Sequence, residues 1–182
     1  MEEGIHQELK RVLITGPESA GKTELAEALA DHFEGAWIPE YARGYIGQLE
    51  RPYTYADLEH IALHQKMEYE EAGKGSGWIF FDTWLILTKV WFELVYGSYP
   101  DWLELTIGNA NFDMILLCAP DIPWRPDPVR ENSGENREKL YQLYQKEVRR
   151  LPFDWAEVKG SGEERFNCAV QLINRRMDSG LS

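Results

Sequence analysis

Residues 16–23 read Gly-Pro-Glu-Ser-Ala-Gly-Lys-Thr, and the interpretation of the whole chain starts from this stretch. It completes the pattern G-x-x-x-x-G-K-[ST] between the apolar run 12–14 and the helix-forming stretch 23–30. A strand, a glycine-rich turn and a helix in this order cradle phosphate, because backbone N–H groups and the positive helix end face the anion. The two glycines permit backbone conformations that a Cβ would penalise. We therefore predict that ATP is bound by Gly16, Pro17, Glu18, Ser19, Ala20, Gly21, Lys22 and Thr23.

The end of this loop also predicts how the phosphates and a metal ion are held. Lys22 is expected to reach the β- and γ-phosphates, which makes it a candidate catalytic residue. The Thr23 hydroxyl is expected to ligate Mg²⁺. The apolar run 78–81 ends in Asp82, which suits the acid that organises Mg²⁺ in such proteins. Thr23 and Asp82 are the predicted metal residues, and ATP and Mg²⁺ are the predicted cofactors.

Composition limits the class of protein. The chain has 182 residues, of which 43% are hydrophobic and 27% charged, enough for one domain (1–182) with its own core. A net charge of −12 argues against a nucleic-acid surface, which needs a clustered basic face. No apolar run approaches the ~20 residues of a membrane span, and the N-terminus shows no signal-peptide pattern. The two cysteines lack metal-ligand spacing, which is typical of reduced thiols in a cytoplasmic protein. Formation of a homo-oligomer is left open.

Apolar strand-like runs alternate with helical patterns along the chain, and the segments between them are long enough for crossover helices. A capping-box pattern at 54–57 predicts the start of one helix, and another at 161–164 predicts the start of the last. The expected fold class is α/β, a P-loop three-layer α/β/α sandwich with a mostly parallel five-stranded sheet and an arginine-bearing lid. The expected strands are Arg11–Thr15, Ala36–Pro39, Trp78–Asp82, Asp113–Cys118 and Trp155–Lys159.

The segment 120–137 breaks this alternation. It contains four prolines, which forbid a continuous helix, together with Arg125, Arg130 and Arg137. One interpretation is an irregular surface loop with solvated arginines. The other is a lid that closes over ATP, bringing cations to the transferring phosphate and excluding water. In the second interpretation Arg130 and Arg137 are catalytic residues.

The end of the second predicted strand points to an acceptor site. Carboxyl ends of parallel strands face the ligand crevice, so Glu40 and Asp82 should lie close together. Glu40 is the first candidate for the base that accepts the acceptor's hydroxyl proton, and Asp82 the second. Alternatively, Glu40 is an acid that favours a helix N-terminus. Arg43 would contact phosphate or pair with an acid, and Trp124 would stack on a planar base.

These strings together resemble one family, the ribosylnicotinamide kinase domain of the NadR-type NAD-salvage proteins, an AAA-like ATPase module. They include the loop 16–23, Pro-Glu-Tyr-Ala-Arg at 39–43, Ile-Ala-Leu-His-Gln at 61–65 and Phe-Asp-Thr at 81–83. Pro-Trp at 123–124 and the later lid residues extend the match to about residues 10–170. The resemblance implies transfer of the ATP γ-phosphate to the ribose 5′-hydroxyl of nicotinamide riboside. The acceptor-binding residues it implies are Glu40, Tyr41, Arg43, Trp124 and Asp127.

Two departures from the family pattern leave the acceptor open. Trp84 stands where members often carry a second acid, and residues 127–130 read Asp-Pro-Val-Arg where members often read Asp-Gly-Leu-Arg. The His-x-Gly-His motif of the family's adenylyltransferase half is missing from this sequence, so we expect the kinase module standing alone. The alternatives are a kinase for another nucleoside or small hydroxylated metabolite, and an NTP-binding regulatory ATPase.

Overall fold

The computed structural model describes residues 8–126 and 134–179, and its strands form one parallel sheet. The order across the sheet places the first strand at the centre, with the third strand on one side and the fourth on the other. Each strand matches its predicted span to within one residue at either end, because each is an apolar run closed by a turn or helix signal. The strands are β1 (Lys10–Thr15), β2 (Ala36–Ile38), β3 (Trp78–Asp82), β4 (Met114–Cys118) and β5 (Trp155–Val158), in the order β2-β3-β1-β4-β5.

Seven helices lie within the described ranges; the first six lie in the connections between parallel strands, and the seventh follows the last strand. The capping box at the start of the third helix is confirmed, with reciprocal bonds between Thr54 and Asp57. The helices are α1 (Lys22–His32), α2 (Tyr41–Gly47), α3 (Tyr55–Ala72), α4 (Leu85–Tyr96), α5 (Asp101–Gly108), α6 (Glu135–Arg150) and α7 (Gly162–Ser179).

Two apolar layers, one on each face of the sheet, make the predicted three-layer sandwich. On one face, Leu25 and Leu29 of α1 and Ile173 of α7 pack against alternate strand residues such as Ile14. On the other face, α3 to α6 cover a larger core that includes Leu13. Alternation along β1 therefore sends successive side chains to opposite layers.

Helix α4 carries an apolar sequence nearly all round, a pattern that is typical of a helix buried among its neighbours. Its first part is buried, including Leu85, Val90 and Phe92, but its last turn is exposed at Leu94 and Val95. Among the described residues, none of the helices combines the length and apolar character needed to cross a bilayer.

Candidate functional site

The phosphate loop occupies the turn between β1 and α1, at the carboxyl edge of the sheet. Its two glycines adopt positive φ angles, 138° at Gly16 and 69° at Gly21. A Cβ on Gly16 would lie 2.7 Å from the carbonyl oxygen of Cys118, so a side chain there would also collide with β4. Ser19 has a φ of 56°, which is uncommon for a residue with a side chain. Gly16 is therefore required for two reasons: its φ angle disfavours a side chain, and β4 lies too close to leave room for one.

Lys22 folds back over this loop. Its Nζ donates to the carbonyl oxygen of Pro17 at 2.8 Å, and the side chain is buried. The positive charge of Lys22 also favours the ionised forms of Glu40 and Asp82, opposing the effect of burial on their pKa values. Lys22 is therefore within electrostatic reach of both predicted acids.

Thr23 and Asp82 form a pair of oxygen ligands beside the loop. Thr23 Oγ1 donates to Asp82 Oδ2 at 2.5 Å, and Asp82 is almost completely buried. The other carboxylate oxygen, Oδ1, is buried without a hydrogen-bond partner in the part of the chain that the structure describes. Burial raises the pKa of Asp82, and the Lys22 cation and the Thr23 hydroxyl act against that rise.

This donor set fits Mg²⁺. A hard, small cation prefers oxygen ligands and completes its shell with water and substrate phosphates, so it needs few protein groups. Within residues 8–126 and 134–179, no cluster of three or more histidine, cysteine or acidic side chains forms an alternative metal centre. Thr23 and Asp82 offer two oxygen ligands of the kind that such an ion would need.

Glu40 lies at the N-cap of α2, but its carboxylate makes no capping hydrogen bond. The side chain is partly buried, and its pKa is raised by burial first and by the negative charge of Asp82 as well. Lys22 and Arg43 lower that pKa. The structure thus brings Glu40, Asp82 and Lys22 to one edge of the sheet, as the strand ends predicted.

Tyr41 sits in an aromatic cluster that the sequence interpretation missed. Its ring stacks on His64, with centroids 3.5 Å apart and planes 5° apart. Its hydroxyl lies 3.0 Å from Nε2 of His60, one turn earlier on α3. His60 and His64 share a helical face in the sequence, and this i, i+4 spacing was the available signal. Both histidines therefore fix the position of Tyr41 beside Glu40.

The predicted lid residues are distributed differently from the expectation. Asp127 and Arg130 lie outside the described residues. Trp124 is half-buried in the irregular segment after β4, while Arg137 lies in the first turn of α6 and is only 7% exposed. The guanidinium of Arg137 donates hydrogen bonds to three backbone carbonyl oxygens, those of Glu18 at 3.0 Å, Ser19 at 2.7 Å and Ile122 at 2.8 Å.

This placement corrects the expectation that Arg137 belongs to a mobile flap and meets the nucleotide only on closure. The prolines that suggested a loop end at residue 128, whereas Arg137 follows the start of a regular helix. The helix fixes the direction in which the Arg137 side chain points. Because the guanidinium is buried, its N–H groups need hydrogen-bond acceptors, and three backbone carbonyls supply them. Arg137 is already docked on the phosphate loop.

A cleft of about 710 Å³ opens next to the loop, between α1 and the start of α7. Its lining includes Gly21, Leu25, Pro123, Arg125, Ser161 and Phe166. The backbone N–H of Arg125 donates to Ser19 Oγ at 3.0 Å, so the segment after β4 forms one wall and touches the loop. The cleft has the size of a small-molecule site.

Residues 11–165 of this chain match the family of AAA domains. The chain belongs to that family. Two curated relatives of this AAA domain are the trifunctional NAD biosynthesis/regulator proteins NadR of Salmonella typhimurium and Escherichia coli, 27% and 26% identical over 176 residues. Each match covers 93% of this chain and 43% of the relative, so the chain spans less than half the length of these proteins.

Solved structures show that this AAA domain has the fold of P-loop kinases. A NadR protein in complex with NR superimposes with a TM-score of 0.74 at 21% identity, over 92% of this chain and 51% of that chain. A deoxyadenosine kinase from M. mycoides gives a TM-score of 0.67 at 13% identity, over 91% and 99% of the two chains. The α/β fold class is confirmed by this likeness.

Proposed function

We propose that this chain is an ATP-dependent kinase that phosphorylates the ribose 5′-hydroxyl of nicotinamide riboside, giving nicotinamide mononucleotide. The observation that carries the proposal is the meeting of Glu40 with Asp82 and Lys22 at the edge that holds the phosphate loop. A nucleotide switch needs the loop and the metal acid, whereas a kinase also needs an acid free to receive the acceptor's proton.

ATP would lie with its phosphates in loop 16–23 and its adenine in the adjoining cleft. Arg125 and Pro123 on one wall and Ser161 on the other would enclose the base. Thr23 and Asp82 would hold Mg²⁺, which supplies positive charge against the phosphates of the bound nucleotide. Lys22 would exchange its bond to Pro17 for the β- and γ-phosphates.

The acceptor would approach from the side of α2. Glu40 would orient the 5′-hydroxyl and take its proton, which its raised pKa favours relative to an ordinary carboxylate. Tyr41 and Arg43 lie on the same short helix, and we propose that they and Trp124 contact the acceptor. The aromatic residues suit a flat ring that carries a positive charge.

The choice of nicotinamide riboside is supported by the likeness to NadR proteins, which include a NAD biosynthesis/regulator protein and a protein whose structure contains NR. A second candidate is another nucleoside or nucleotide. Deoxyadenosine kinase and a thymidylate kinase share the fold over nearly their whole length. In addition, Trp84 stands where NadR-type kinases often carry a second acid; it is fully buried, and its Nε1 donates to the Gln65 carbonyl oxygen. An apolar ring there supplies no negative charge to the acceptor.

A coupled assay of ADP release tests this proposal. With Mg²⁺ and ATP we expect nicotinamide riboside to be the best acceptor in a panel with uridine, adenosine, deoxyadenosine, thymidine monophosphate and ribose. Lys22→Ala serves as the control for contaminating activity, since losing this charge should reduce the rate by about 10²–10³-fold. A preference for another member of the panel rejects the nicotinamide riboside assignment but keeps the kinase. ADP release that no acceptor stimulates would instead indicate a regulatory ATPase.

A further inference from the structure

Three consecutive carbonyl oxygens of the phosphate loop accept hydrogen bonds from two buried arginines. Arg137 donates through Nε to Glu18 O at 3.0 Å and through Nη2 to Ser19 O at 2.7 Å. Arg165 donates through Nη1 to Ala20 O at 2.8 Å. The two arginines come from different helices, α6 and α7, and are 7% and 3% exposed.

The same two side chains tie the loop to neighbouring backbone. Arg165 also donates to Gly160 O at 2.7 Å and to Ala119 O at 3.1 Å, and it pairs with the Asp121 carboxylate. The third nitrogen of the Arg137 guanidinium, Nη1, donates to the carbonyl oxygen of Ile122 in the same segment after β4. The phosphate loop is thus joined to the segment that walls the adjoining cleft.

These bonds have a direct bearing on anion binding. A carbonyl oxygen turned toward a phosphate would repel it, whereas an N–H group attracts it. Holding the carbonyls of residues 18–20 against guanidinium groups leaves the N–H groups of the loop available for the phosphates. The left-handed backbone of Ser19 lies in the middle of this run, and such a conformation persists only where surrounding contacts hold it.

We propose that Arg137 and Arg165 are positioning residues that hold the phosphate loop in its nucleotide-binding conformation before ATP arrives. The proposal rests on the nucleotide-binding part of the proposed function and is independent of the acceptor. A preformed loop binds more tightly because less ordering is left to occur on binding.

Arginine suits this position better than lysine. Its planar fork offers several donors in fixed directions, so one side chain can bridge two adjacent carbonyls and a third acceptor. Lysine carries the charge on a single flexible atom and would reach one or two of these oxygens. The Lys variants therefore keep the buried positive charge but lose most of the hydrogen bonds to the loop carbonyls.

The test compares Arg137→Lys and Arg165→Lys with the wild-type protein, using Arg137→Met and Arg165→Met as stronger variants where these fold. Arg150→Met on α6 and Arg176→Met on α7 are matched controls, because both arginines are more exposed and form ion pairs away from the phosphate loop. NMR order parameters of the backbone amides report loop order without nucleotide, and calorimetry reports affinity for Mg²⁺-ATP.

We expect the order parameters of the backbone amides of residues 18–20 to fall from about 0.85 to below about 0.6 in the Lys and Met variants, while those of the sheet stay unchanged. Affinity for ATP should weaken by about 10–100-fold, by analogy with the loss of outer-shell groups that orient metal ligands. The control variants should match wild type in both measurements. With the best acceptor in the panel, KM for ATP should rise while kcat at saturating ATP stays within about 3-fold, as for loss of uniform binding.

Two results would overturn the proposal. One is a loop that stays as rigid as wild type, with unchanged ATP affinity, in variants that fold. The other is loss of order throughout the sheet, which would show that the arginines support the whole fold instead. The order parameters need no ligand and the calorimetry uses only Mg²⁺-ATP, so a failure of nicotinamide riboside as acceptor would leave the outcome of both unchanged.

Discussion

Asp82 has two carboxylate oxygens in different surroundings, one bonded to Thr23 and one buried without a partner in the described chain. Asp82→Asn keeps the shape but removes the charge that would hold Mg²⁺. We expect kcat/KM to fall by about 10²–10³-fold and the Mg²⁺ titration to shift to higher concentration. The exposed Asp31→Asn on α1 is the control. An unchanged titration midpoint in Asp82→Asn would move the metal site elsewhere.

Glu40 should set the acid limb of the pH profile. Burial raises its pKa above that of an ordinary glutamate, and a base must be deprotonated to act, so kcat/KM should fall as pH drops through this raised value. Glu40→Gln should lose about 10²–10⁴-fold in kcat and also lose this limb. Glu50→Gln, at an exposed position, should behave as wild type. Should Glu40→Gln retain the limb and most of its kcat, Asp82 would become the candidate base.

At the residue scale, the sequence was informative where a side chain follows a strand. Glu40 and Asp82 could be predicted to meet because β2 and β3 are adjacent parallel strands that end at the same edge. Arg165 could not be predicted as a partner of the loop. Its acceptors there are backbone carbonyls, which every residue possesses, so no pattern of residue types marks them.

At the scale of elements, Lys89 of α4 joins three helices. It is buried, and its Nζ lies 2.6 Å from Glu147 Oε2 on α6 and 2.5 Å from Glu104 Oε2 on α5. Lys89→Met should lower the free energy of unfolding by about 3 kcal/mol, the low end for breaking a buried pair, because Glu147 loses this cation but keeps its pair with Arg150. Denaturant unfolding measures the loss.

The double variant Lys89→Met/Glu147→Leu should recover most of that stability, since well-packed apolar groups can replace a buried pair. The exposed Lys74→Met, which loses a surface pair with Glu71, should change stability by less than about 0.5 kcal/mol. If Lys89→Met were as stable as wild type, the three-helix junction would owe its stability to apolar packing alone.

Helix α6 shows why some elements escaped prediction. Its buried residues Leu140, Tyr141, Tyr144 and Val148 recur at helical spacing, which is a usable signal. Because of the upstream prolines, the predicted lid extends to residue 137 and includes the first turn of this helix. Proline restricts only its own neighbourhood, and here the helix starts at Glu135, seven residues beyond the last of these prolines at 128.

At the scale of the whole molecule, the order β2-β3-β1-β4-β5 puts the phosphate loop at the middle of the sheet's edge. This position gives the loop neighbours from both halves of the chain: Asp82 from β3 on one side and Cys118 from β4 on the other. The alternation of strands and helices was enough to predict the parallel sheet. The aromatic cluster around Tyr41 depends on how α2 meets α3, a tertiary contact that local patterns do not specify.

The central position of β1 has a consequence for the chain as it emerges from the ribosome. The loop at 16–23 is made early, yet the arginines bonded to its carbonyls arrive only at positions 137 and 165. At about 5–20 residues per second, roughly 150 further residues take on the order of 7–30 s. During that interval the loop lacks both arginines. In its first part, until residues 114–118 are made, β1 also lacks its partner β4 and leaves one edge with unpaired backbone groups.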